Sequence, residues 1–81
     1  MKLSKALSYR ITQYLAEEGW SDYRLATRAG VPTSTMSNVI NCKVKSCKVD
    51  TLYNICRGLN ITIAEFFDNK LFIPENIDDN D

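Results

Sequence analysis

Cys42, Cys47 and Cys56, together with the complete absence of histidine, bound the covalent chemistry open to this chain of 81 residues. Without histidine it cannot build a Ser-His or Cys-His pair to activate a nucleophile. A closed zinc site ordinarily takes four Cys or His ligands, so one here would need a carboxylate or a second chain. Three cysteines are also a poor disulfide framework. The expectation is free thiols in a reducing compartment, with no metal and no cofactor. No convergent pair of carboxylates and no phosphate-cradling glycine loop stands out, so an enzyme is not expected.

The remaining chemistry is non-covalent and sits in the run Thr33-Ser34-Thr35-Met36-Ser37-Asn38-Val39-Ile40-Asn41. On a helix, Met36, Val39 and Ile40 share one stripe. Ser34, Ser37, Asn38 and Asn41 take the other side, with Thr33 at its edge. A solvated helix face usually carries Glu, Lys and Arg, which are better helix formers. Short hydroxyls and amides suit the reading of base edges. Asn pairs bidentately with adenine, Ser and Thr bond several edges, and the threonine methyl can meet that of thymine. The competing reading is a short helix whose packing tolerates poor helix formers. The face alone leaves the two even.

The elements around that run read as helices throughout. Leu3, Leu7, Ile11, Tyr14 and Leu15 form one apolar stripe over residues 1–18, which Gly19 ends. Ser21 is a good N-cap for a second helix, with Asp22 in its first turn and Leu25, Ala26 and Ala29 as its apolar face. Gly30 closes it. The third helix starts at Pro32 or Thr33 and runs to about Asn41; Val31, Thr33 or Ser34 could cap it. A polar, basic connection, residues 41–48, leads to a fourth helix beginning near Val49. Val49, Leu52, Tyr53, Ile55 and Cys56 are its expected buried face, and Gly58 or Asn60 its end. Thr62-x-x-Glu65 is a capping box for a short fifth helix with Ile63, Phe66 and Phe67. Residues 1–68 are the expected domain. Residues 69–81 are a C-terminal extension, first apolar and then acidic, expected to be disordered from Asn76. The small Ala26, followed four residues later by Gly30 and then by the inward Met36 and Val39, is helix-turn-helix spacing.

Formal net charge is zero, yet unevenly spread. Residues 1–60 hold nine cations against four anions (+5), and residues 61–81 hold one against six (−5). A basic body with an acidic tail suits a polyanion-binding surface, but it equally suits a solvated surface with a frayed acidic end. No apolar run approaches the ~18 residues of a membrane span. The first ten residues lack an uninterrupted apolar h-region, so a cytoplasmic location is expected.

The run from Trp20 to Asn41 and the continuation Val49-Asp50-Thr51-Leu52-Tyr53-Asn54-Ile55-Cys56 with Leu59 to Phe67 resemble the phage-repressor and Cro type of helix-turn-helix domain, the XRE family. The resemblance covers about residues 5–68. It implies an all-α, compact five-helix, lambda-repressor-like domain with its helix-turn-helix at helices 2 and 3. It further implies a transcriptional regulator that binds double-stranded DNA, usually as a dimer on a palindromic operator. Carried over by position, base reading falls on Thr33, Ser34, Ser37 and Asn38. Phosphate contacts fall on Asn41, Lys43 and Lys45, with Lys48 as a third lysine in reach. Several positions depart from the family. Asp22 stands where Gln is frequent, Cys42 where Gly is, and Cys47 where Pro is. Leu15 and Ile40 replace a buried Arg–Glu pair, so an apolar contact is expected there.

Residues 69–81 are too few for a ligand-binding domain, so no small-molecule effector is expected. Phe67, Leu71, Phe72 and Ile73 are the candidate dimer contact, with simple capping of the core as their alternative; Phe66 is assigned to the core. A different function on the same fold would be a protein-interaction or antitoxin-like module, which zero net charge and Asp22 favour somewhat.

Overall fold

The computed structural model describes residues 1–78, which form five α-helices: α1 (Leu3–Glu18), α2 (Asp22–Ala29), α3 (Thr33–Ile40), α4 (Val49–Gly58) and α5 (Ile63–Phe67). Two 3-10 turns follow at Lys70–Phe72 and Pro74–Asn76. The local signals act where expected. Gly19 and Gly30 end α1 and α2 at φ 70° and 68°, in the left-handed region where an L side chain is strained. The Ser21 hydroxyl accepts from the Arg24 N–H at 3.1 Å, and that of Thr62 accepts from the Glu65 N–H at 3.0 Å. The N-cap of α3 is Pro32 itself, not Val31, Thr33 or Ser34. With its φ held at −55°, Pro32 enters the helix without a side-chain acceptor.

Every helix gives at least one fully buried side chain to a single core: Ile11 from α1, Leu25 from α2, Met36 from α3, Ile55 and Cys56 from α4, and Phe66 from α5. Removing a side chain of this size from water contributes about 1.5–3 kcal/mol. Leu15 is buried in the same core and Ile40 packs half-buried against it, so apolar packing serves both positions. The expected face of α4 needs correction. Leu52, Ile55 and Cys56 are buried, but Val49 and Tyr53 are 74% and 57% exposed. The inward strip of α4 is the narrow one that meets α2 and α5. Val49 opens the helix outside that strip, and Tyr53 lies to its side.

The C-terminal segment packs back on the five helices. The Phe72 ring meets Phe66 tilted and Phe67 edge-to-face, at ring separations of 5.8 and 4.7 Å. Asn76 and Asp78 are hydrogen-bonded to the first residue. The Met1 ammonium donates to the Asn76 carbonyl at 2.8 Å, and the Asp78 N–H to the Met1 carbonyl at 2.6 Å. The meeting of Met1 with Asn76 and Asp78 gave no signal in the sequence; residues 79–81, also expected to be disordered, lie outside the described residues.

Candidate nucleic-acid interface

The turn between α2 and α3 sets the attitude of the candidate reading helix. Gly30 in left-handed geometry lets its own N–H reach the Thr27 carbonyl (3.3 Å) and the Val31 N–H reach that of Ala26 (3.0 Å). Three residues join the two helices, α3 packs against α2, and Ala26 is buried. Met36 and Val39 face the core. The other side of α3 then faces outward. Thr33 and Ser34 are exposed, and Ser37 and Asn38 half-buried. Because Pro32 offers no side-chain acceptor, the first-turn N–H groups of α3 stay available at the end where Thr33 and Ser34 stand. That end carries the positive pole of the helix, which favours an anionic partner.

The amides along this face differ in their commitments. Asn41 turns its Nδ2 back to the Ser37 carbonyl at 2.9 Å and the Ser37 hydroxyl at 3.1 Å, on the previous turn. The amide of Asn38 makes no hydrogen bond to another described residue. Of the two, Asn38 is the one free to meet an external donor–acceptor pair. Asn41 chiefly fixes the Ser37 side chain and the end of the helix.

The chain leaves α3 through Cys42 at φ 57°, a conformation that costs a non-glycine residue about 1–2 kcal/mol. The cysteine therefore keeps a turn for which a glycine would be cheaper. Two backbone bonds hold it: Cys42 N–H to Val39 O at 3.3 Å and Lys43 N–H to Asn38 O at 2.9 Å. The connection 41–48 then exposes Lys43, Lys45 and Lys48 beside the outward face of α3. Cys47, half-buried, packs against the core as an anchor for this stretch. All three cysteines are free thiols. Burial, and then the Asp50 carboxylate, push the Cys47 thiol up; burial, and then Cys47, push that of Cys56 up to about 11. Both are protonated and uncharged near neutral pH, so they do not offset the lysines.

Two positioning contacts were not legible in the sequence. Buried Ser8 of α1 donates its hydroxyl to the carbonyl of Ile40, the last residue of α3, at 2.5 Å. Its only trace is a small residue beside Leu7 on the α1 stripe. Arg28 of α2 stacks on Trp20 at 4.3 Å and donates Nε to the Gly58 carbonyl at 3.0 Å, which joins the end of α2 to the end of α4. No spacing rule points from residue 28 to residue 58.

Two helices joined by a tight glycine turn, the second one presenting an uncharged polar face flanked by lysines, define a helix-turn-helix domain. The chain belongs to the family of Cro/C1-type helix-turn-helix DNA-binding domains, whose model matches residues 10–70. Among solved structures, the N-terminal DNA-binding domain of SinR from Bacillus subtilis is similar at 28% identity, with 79% of this chain and 93% of that chain covered and a TM-score of 0.71. The wild-type restriction-modification controller protein C.Esp1396I shares the fold at 20% identity, with 84% of this chain and 86% of that chain covered and a TM-score of 0.75. No match was found among curated protein sequences.

Proposed function

We propose that this protein is a sequence-specific transcriptional regulator that acts by binding, not catalysis, and lays α3 in the major groove of duplex DNA. Thr33, Ser34, Ser37 and Asn38 read base edges, and Lys43, Lys45 and Lys48 set the register on the phosphates. The observation that carries this reading is the outward face of α3, uncharged and hydrogen-bonding, with the Asn38 amide uncommitted and three exposed lysines alongside. Asn41 supports that face through Ser37 and contributes less to phosphate binding, because its amide N–H groups already have acceptors.

One α3 reads only a few base pairs, so the reading includes a homodimer on a palindromic operator, with half-sites about one helical turn apart. Phe67 and Ile73, 37% and 44% exposed, are its best-placed contacts. Leu71 and Phe72 are half-buried, and Phe72 packs against Phe66 within its own chain, so these two support the contact from beneath. Among the described residues no helix is long and apolar enough to cross a membrane. A cytoplasmic place beside the genome goes with the proposed role.

The test is selection of bound duplexes from a random pool at ~0.1 M salt. A recovered palindromic motif supports the reading. Failure to enrich any sequence would leave the interaction module, which the exposed Asp22 in the first turn of α2 favours, since a carboxylate there repels phosphate.

A further inference from the structure

Two of the positions that depart from the family, Cys42 and Cys47, flank the segment that carries Lys43 and Lys45. The chain bends at Val44 and Lys45, so the two thiols are not the ends of an extended stretch. Both gather at one place on α1. Cys42 Sγ donates to the Ser4 carbonyl at 3.7 Å, and Cys47 lines a small gap with Ser4, Leu7, Val39 and Val44. The Cys47 thiol donates to the Lys48 carbonyl at 3.5 Å. Thiols are weak donors, so little holds either sulfur against a move toward the other. The four residues between them belong to no helix and can make that move. Cys42 is exposed, and it keeps φ 57° where a glycine would be cheaper. Base reading and phosphate binding make no use of its sulfur. Cys56, 1% exposed, is shut away in the core.

We infer that Cys42 and Cys47 are a dithiol pair that closes to an intramolecular disulfide when a peroxide reaches Cys42, and that closure weakens DNA binding. The peroxide O–O bond breaks as one oxygen passes to the Cys42 sulfur, giving a sulfenic acid and one water. The Cys47 sulfur then attacks the sulfenic sulfur. The S–S bond forms, the S–O bond breaks, and the departing hydroxide takes the Cys47 proton as a second water. The two thiols are oxidised together by two electrons, which the peroxide gains. In a reducing compartment such a pair is transient, and a thiol reductant reopens it. The ring encloses Lys43 and Lys45. Its closure pulls on the turn that ends α3, held by Cys42 N–H to Val39 O and Lys43 N–H to Asn38 O, and draws Cys47 from its place against the core. The effect on DNA rests on the proposed DNA-binding role; the disulfide itself does not.

The test treats the full chain with hydrogen peroxide. Mass spectrometry reads the intact mass and the linked peptides, and affinity for the selected duplex is measured before and after dithiothreitol. The expected result is a loss of two hydrogens per chain, a Cys42–Cys47 linkage, and affinity about tenfold lower, the worth of one charge-assisted phosphate contact, which dithiothreitol restores. Cys42→Gly should melt no lower than the wild type and lose the response to peroxide. Cys47→Ser should stop at a Cys42 sulfenic acid that dimedone traps. A linkage between two chains, a linkage to Cys56, or a Cys42 sulfinic acid beside a reduced Cys47 overturns the pair. A linked chain with unchanged affinity overturns its control over DNA. A reduced wild-type chain that selects no duplex overturns the DNA-binding reading instead, and the mass readout still decides whether the pair closes.

Discussion

At Asn38 and Asn41, two side chains of one type, three residues apart, divide their labour. The first keeps its amide open, and the second folds its amide onto Ser37. Asn38→Ala should therefore cost about 1–3 kcal/mol on the selected duplex and relax preference at one base pair, read by competition binding against single-base variants of the site. Equal weakening on every sequence would remove Asn38 from the base readers. In the proposed reading Lys45 makes the other kind of contact, to phosphate. Lys45→Ala should weaken all duplexes alike and lower the slope of log affinity against log salt by about 1, measured by titration across salt concentrations. An unchanged slope would take Lys45 away from the phosphates.

The helix-turn-helix is braced by side-chain donors on backbone carbonyls. Ser8 fastens the end of α3 to α1, and Arg28 fastens α2 to the last carbonyl of α4. Gly58 matters for a reason unrelated to helix ending. A Cβ at that position would stand 3.0 Å from the Cα, Cβ and N of Ala29. Gly58→Ala gains helix propensity, yet it pushes α4 off α2 along backbone that cannot swing aside. It should lower stability by about 1–3 kcal/mol, seen as a reduced midpoint in urea or heat, and sequence preference should survive in the folded fraction. A variant as stable as the parent would show that the two helices separate without cost.

The molecule as a whole joins a basic body to an acidic final segment, and within the described residues Phe72 and Asn76 are held to the body through Phe66 and Met1. The exposed Phe67 and Ile73 then remain as surface available to a second copy. Phe72 is a poor test of dimerisation, because its ring is part of the Phe66 cluster and its loss would also loosen the core. Ile73→Asp leaves that cluster intact. It should shift sedimentation velocity profiles toward monomer and weaken binding to a palindromic duplex far more than to a half-site. Unchanged sedimentation and unchanged palindrome preference would remove Ile73 from the proposed dimer contact.

Local chemistry determined much of this protein. Apolar periodicity placed α1 to α5, Ser21 and Thr62 set two starts, and Gly19 and Gly30 set two ends, because each signal acts within one turn of chain. The polar face of α3 was visible for the same reason: a helix wheel needs only eight residues. Tertiary packing alone decided the rest. Val49 and Tyr53 have the composition of a core but stand outside it, because the α2 and α5 surfaces cover only a narrow strip of α4. Ser8 with Ile40, Arg28 with Gly58, and Met1 with Asn76 meet across 32, 30 and 75 residues. Helical periodicity relates residues a turn or two apart, and only the folded chain brings such distant groups within hydrogen-bonding distance.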